Sequence, residues 1–431
     1  MKRNIKGLVL ATAVLGLTAC GQKEKATANA PKGDVSLRVS WWGGDERHNL
    51  TLEAIKAFEA KNPGIKIVPE YSGWQGHPEK IATQMVGNTA PDVMQVNWDW
   101  LFTFSRTGEG YYDLNQLKDI LKVEENYSPA ILAATTINGK LNAIPQGVTG
   151  KVFYYNKTVY DKAGLPLPKS FEEMRASAKI MKEKLGPDQY AMGLDQYGAF
   201  LMMLYTLEQE TGKGFIEGNK VAYSVEELEK AFKFYTTLVA EGVVPSMATR
   251  AGAGNVPLDQ HPSWIKGQYA GTYEWDSAAK KWQDSLEKGM ELVVGDFPRD
   301  FGVHPSAFNK VSMAFAINKN TKYAEEAAKF IHFITSDPEG VKILKTSRGI
   351  PTSKTADEVL RAEGTLAGLA YEGNQKVLEY AGKTISPKFE NKNLQSLYRD
   401  TVEKLGYGQI NERQAAEIIV TKVNEFLANE K

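Results

Sequence analysis

From Val35 the chain alternates apolar and polar residues, VSLRVSWW, and this period-2 pattern predicts a half-buried β-strand over 35–41. Trp41 shares a strand face with Val35, Leu37 and Val39 and is expected beneath the sheet, with Trp42 at its edge. In LTLEAIKAFEAKNPG, Leu52, Ile55 and Phe58 recur at helical spacing, and Asn62-Pro63-Gly64 ends the helix. A strand at 65–70, a helix near 77–87 and a strand at 91–96 (PDVMQV) follow. This order predicts βαβ units, and hence a parallel sheet with helices on both faces.

Further along, Asn142 to Gly147, with Gly150 close behind, punctuates the chain before a strand KVFYYN. Helical periodicity then covers 170–185, 198–210, 224–240 and 277–288. A strand at 311–318 (VSMAFAIN) leads to a helix at 322–335 that would rejoin the first sheet, and helices at 392–404 and 411–428 end the chain. About 400 residues exceed the roughly 250–300 at which one core stops growing, so two domains are expected. We place chain crossings near 147–152, 305–311 and 360–370. The first lobe then comprises 35–148 and 310–362, and the second 149–309 and 363–431.

The N-terminus carries Lys2, Arg3 and Lys6 before a short apolar run, Gly7 to Leu17, which reads as a secretory signal over 1–19 and is too short to span a bilayer. It ends in Leu17-Thr18-Ala19-Cys20, and Cys20 is the single cysteine in the chain. This stretch resembles a bacterial lipobox, with Cys20 as the lipidated residue; residues 20–34 are polar and read as a flexible tether. Without the three basic residues of the signal, 49 of the 52 Lys and Arg remain against 52 Asp and Glu, a net charge of −3. There is no basic surplus for nucleic acid.

No G-x-S-x-G elbow, H-E-x-x-H or Cys/His cluster occurs, and Ala381-Gly382-Lys383-Thr384 lacks the first glycine of a phosphate loop. No cofactor or metal is expected. The tryptophans carry the positive signal. Trp42, Trp74 and Trp98 fall at or just after strand ends, where open α/β sheets bind ligands. Indole faces stack on the C–H faces of sugar rings while polar neighbours take the hydroxyls. Such neighbours are Asp45 and Arg47, Gln75 and His77, Asn97 and Asp99, and Glu274 and Asp276 beside Trp275. Core packing is the competing account of each tryptophan. Gly43 and Gly44 are expected to let the backbone approach a ligand, with Arg47 and His48 on the rim. Thr149, Lys151, Tyr197, Arg348 and Tyr398 complete the candidate set.

FEAKNPGIKI, GNTAPDVMQ, FYYNKTVYDKAGLPLPKSFEEM, GTYEWDS and AAKFIHFITSDPEGVKIL, with the lipobox, resemble the extracellular solute-binding proteins of carbohydrate ABC importers over essentially the whole mature chain. WWGGDERH, QVNWDWL, GVTGKVFYYN and SRGIP look most like the oligogalacturonide binders. The resemblance implies a two-lobed periplasmic-binding-protein fold, type II-like and maltose-binding-protein-like, with a hinge closing on a sugar. It implies a monomeric, extracytoplasmic, lipid-anchored receptor whose partners are an oligosaccharide and membrane permease subunits. Lys151 and Arg348 stand where basic residues would meet uronate carboxylates, with Arg47 a third; Glu274 and Asp276 suit neutral hydroxyls instead. A secreted lyase or glycosidase, or a glycan-binding adhesin, are the alternatives from other functional classes.

Overall fold

The computed structural model describes residues 35–429 except 253, 255 and 384, so the signal, the tether and the Cys20 lipidation site lie outside the described residues. Strand β1 (Val35–Trp42) leads into helix α1 (Asp45–Lys61), β2 (Ile65–Ser72), α2 (His77–Val86), β3 (Val93–Asn97) and α3 (Trp98–Phe104). β1 lies between β2 and β3 and is parallel to both. Its alternation buries Leu37, Val39 and Trp41 against Phe58 of α1. Trp41 is fully buried, its indole N–H donates to His48 Nδ1 at 3.1 Å, and its ring stacks on Tyr71.

A long strand, β4 (Ile144–Asn156), carries the chain into the second lobe. There α4 (Phe171–Leu185), α5 (Gln196–Thr211) and α6 (Val225–Ala240) precede β5 (Gly271–Trp275) and β6 (Leu292–Val294). The chain returns along β7 (Asn309–Ile317) to α7 (Ala324–Thr335) and α8 (Pro338–Leu344), and crosses again to α9 (Leu369–Glu379), α10 (Lys392–Gly406) and α11 (Glu412–Asn429). Phe330 of α7 packs edge-on to Phe58 at 5.2 Å, which seals the first core. The second core gathers around Phe153, Phe171, Phe200 and Tyr273.

Three expectations are corrected. The sheet is mixed: β7 runs antiparallel to β3, with Met313 opposite Asn97, because it re-enters from the other lobe. Asn142–Gly150 is no interruption, since β4 begins at Ile144 and pairs with β7 through Gly147 and Gly150, with a bulge near Val311. The helix expected over 277–288 shrinks to Ala279–Asp284 behind a 3₁₀ turn at Asp276–Ala278. The first half of β4 pairs with β7, while Lys151–Tyr155 pair with β5 and Tyr154–Asn156 with β6, so β4 is a strand shared by both lobes.

Candidate functional site

Between the lobes lies a cavity of 410 Å³. The first lobe supplies Trp74, Gln75 and Gly76 from the turn after β2 and Asn97 to Trp100 from the end of β3; the second faces them with Glu390, Lys392 and Gln395, and Lys310 of β7 forms the floor. Trp74 is 48% exposed and stacks on Trp100 with centroids 5.9 Å apart and planes at 16°. Trp42 closes edge-on against Trp74 at 5.2 Å. His77 stacks behind Trp100, and burial, with Lys80 nearby, lowers its imidazole to about 4, so it packs as a neutral ring. The result is an aromatic wall with one open indole face.

The polar side is a connected network. Asp195 accepts from the Gly198 N–H at 2.6 Å and starts α5, which points Tyr197 across the second lobe. The Tyr197 hydroxyl donates to Glu390 Oε1 at 2.8 Å, and Lys310 Nζ donates to Glu390 Oε2 at 2.5 Å. Trp275 sits between two ammonium groups, Lys310 at 4.6 Å and Lys151 at 5.0 Å from its ring centre. Lys151 is buried and already paired with Glu274 at 2.9 Å. Asn97 lines the cavity and its amide makes no hydrogen bond among the described residues.

Several candidates occupy other places. Trp98 touches the cavity but is only 2% exposed, and its indole N–H donates to Ala134 O at 2.8 Å, as a core residue would. Asp276 is buried; it accepts from Asn374 at 2.7 Å, from Gly150 N–H and from the Thr149 hydroxyl, so both Thr149 and Asp276 knit the crossing. Tyr398 is buried, stacked on Phe200 at 4.5 Å and close to Phe389. Gly43 yields to an arginine stem and not to a ligand, since a Cβ there would meet Arg47 Cδ at 2.6 Å; a Cβ at Gly44 would meet nothing. Arg348 lies inside the first lobe, 4% exposed, donating to Gln95 at 2.9 Å and to Thr51 at 2.8 Å. Arg47 beside it donates to the carbonyls of Ser347 and Trp42. Neither guanidinium has a carboxylate partner among the described residues, and burial lowers Arg348 to about 9 with Arg47 adding repulsion.

Trp100, Lys310 and Glu390 were not singled out from the sequence. Trp100 carried the same tryptophan signal as Trp98; nothing in the sequence marked the other two. Among the described residues no helix is long and apolar enough to cross a membrane, and no group of three or more metal-ligating side chains forms.

Residues 45–341 match the model of the bacterial extracellular solute-binding protein family. A maltooligosaccharide ABC transporter solute-binding lipoprotein of Streptococcus pneumoniae is 29% identical over 81% of this chain and 80% of its own. Among solved structures, a periplasmic oligogalacturonide binding protein from Yersinia enterocolitica is 37% identical over 92% of this chain and all of that one, with a TM-score of 0.86. The same protein in complex with saturated digalacturonic acid superposes at 0.77. A de novo designed cysteine esterase is also 37% identical, over 92% of this chain and 99% of that one, at 0.88.

Proposed function

Since this chain belongs to the bacterial extracellular solute-binding protein family, we propose that it captures an oligosaccharide containing uronic acid between its lobes and delivers it to the permease of an ABC importer. The observation that carries this reading is the interlobe cavity with an open indole face at Trp74 opposite a row of donors and acceptors. An indole platform takes the C–H face of a pyranose, and Asn97, Gln75, Lys392 and Gln395 take its hydroxyls. Relatives described as binding maltooligosaccharide and oligogalacturonide support an oligosaccharide as the ligand class.

The acidic sugar draws support from charge. Among the charged groups lining the cavity Lys310 is paired with Glu390, and Glu79 and Asp99 are acidic. The support therefore comes from Lys392 and from the Arg47–Arg348 pair behind the Trp42 carbonyl, which has no carboxylate partner among the described residues. Such a field favours an anionic ligand at long range without requiring contact. Lipid attachment at Cys20 rests on the sequence Leu17-Thr18-Ala19-Cys20. A cysteine-esterase chemistry finds little support, because the one cysteine precedes the first strand.

Calorimetric titration of the purified protein with a digalacturonate and with a neutral disaccharide tests the reading. Tighter binding of the uronate is expected, weakening as salt rises. Preference for the neutral sugar overturns the acidic assignment, and binding of neither overturns the receptor assignment.

A further inference from the structure

Two arginines meet inside the first lobe, and among the described residues each side-chain hydrogen bond they make goes to an uncharged acceptor. Arg348 Nε donates to Gln95 Oε1 at 2.9 Å, and its Nη2 donates to the Thr51 hydroxyl at 2.8 Å. Arg47 Nε donates to the Ser347 carbonyl at 2.9 Å, and its Nη1 donates to the Trp42 carbonyl at 3.0 Å. These bonds form a closed circuit. The Gln95 amide donates to the same Trp42 carbonyl at 3.3 Å, Thr51 donates back to the Arg47 carbonyl, and Ser347 precedes Arg348 in the chain.

Donors are left over. Arg348 is 4% exposed, and its Nη1 is buried with no hydrogen-bond partner among the described residues. The Ser347 hydroxyl next to it is buried and unmatched as well. Phe315 of β7 covers the Arg348 guanidinium, with its ring centre 5.5 Å from Cζ, but a ring carries no net charge. Asp45 and Glu46, in the first turn of α1, are exposed and pair with neither arginine among the described residues. Arg348 still holds its proton at pH 7, although burial and the charge of Arg47 lower it to about 9. Two like charges withdrawn from water without a counter-charge are costly, whereas an anion on unused N–H groups makes strong, charge-assisted bonds.

We propose that the first lobe holds a monovalent anion of halide size between Arg47 and Arg348, bound by Arg348 Nη1, the spare nitrogen of Arg47 and the Ser347 hydroxyl. The ion sits behind the Trp42 carbonyl and outside the sugar cavity, whose walls include none of these three residues. It offsets one of the two guanidinium charges, so one positive charge remains behind the cleft. The site does not depend on the receptor reading, because no sugar takes part in it.

Thermal melting without sugar, with chloride or bromide exchanged for gluconate at constant ionic strength, tests the proposal. Gluconate is too bulky for such a site. The melting temperature is expected to rise saturably with halide, because an ion bound only by the folded state stabilises that state. Arg348→Met and Arg47→Gln should each abolish the rise, and the half-buried Arg47 keeps the test valid if Arg348→Met does not fold. Crystals of the wild type grown in bromide, which need no variant, should show its anomalous signal between the two guanidiniums. Equal melting in halide and gluconate, a halide response that survives in folded Arg47→Gln, or a bromide signal only elsewhere overturns the site. Failure to bind any oligosaccharide overturns the receptor reading alone, since the halide response is read without sugar.

Discussion

Trp74 and Trp100 stack in parallel at 5.9 Å, and Trp74 leaves its other face to the cleft. Trp100 is held rigid by Trp42 and His77, so the pair forms a fixed platform. Trp74→Ala should therefore weaken oligosaccharide binding by about 1–3 kcal/mol, as expected for loss of a central aromatic contact. Half-exposed, it should cost little stability. Trp98→Ala should do the reverse, lowering stability by about 3–5 kcal/mol through cavity creation and an orphaned Ala134 carbonyl. Titration and thermal melting on both variants separate the roles; equal effects of the two on affinity would remove the distinction.

The Lys151–Glu274 pair defines a second test. Both groups are largely withdrawn from water; Lys151 lies on β4 two positions beyond the crossing residue Thr149, and Glu274 lies on β5 opposite Val152. Breaking a buried pair by removing one partner leaves an uncompensated charge and costs about 3–5 kcal/mol. Glu274→Gln should thus destabilise the protein, and the double variant Lys151→Met/Glu274→Gln should recover much of the loss in a urea titration. A uronate that recruited Lys151 would have to compete with Glu274. Lys151→Met alone is consequently expected to harm folding more than ligand affinity, and a folded variant of normal stability without binding would contradict this.

The scaffold was readable where one periodicity dominates. VSLRVSWW alternates cleanly, and Trp41 and Trp42 fall on opposite faces as their spacing requires. β5 was missed because GTYEW offers five residues, of which the first three are buried, and so no alternation. WDW was legible as aromatic chemistry, but α3 begins at Trp98, and a helix turns Trp98 and Trp100 to different sides. Glu390 and Lys310 lie 80 residues apart, one in the 3₁₀ turn Pro387–Glu390 and the other on β7, and only the tertiary fold brings them together. Arg348 misled for a related reason: a sequence marks a charge but not its depth, and Thr51 and Gln95 draw this one inside the lobe.

Stability should also depend on pH through Glu208. Burial raises its carboxyl from 4.5 to about 7, against the pull of the Lys383 N–H and charge. Between those values the folded state holds the proton more tightly than the unfolded state, so this group makes stability fall as pH rises from about 4.5 to 7. The full effect is on the order of 3 kcal/mol, at about 1.4 kcal/mol per unit. Glu208→Gln keeps an acceptor for Lys383 N–H, at 2.5 Å in the wild type, and removes the titration. Denaturation at pH 5 and pH 8 should show the variant gaining on the wild type at the higher pH; a constant difference would refute the assignment.

The last prediction concerns motion at the crossing. β4 belongs to both lobes, and Gly150 sits on it where the pairing passes from β7 to β5. A Cβ at Gly150 would meet Val377 Cγ1 at 2.3 Å and Phe308 O at 2.6 Å, so α9 and the start of β7 close against bare backbone there. A two-lobed binder hides a polar ligand by hinge rotation, which a few residues at such crossings absorb. With ligand, small-angle scattering should give the wild type a smaller radius of gyration. Gly150→Ala should push β4 from α9, cost about 1–3 kcal/mol by overpacking, and reduce the ligand-induced contraction. Because the clash involves a backbone carbonyl as well as a side chain, rotamer changes alone cannot relieve it. An alanine variant with wild-type stability and full contraction would move the hinge elsewhere, leaving the segment between Leu366 and Gly368, where the chain crosses for the third time, as the next position to test.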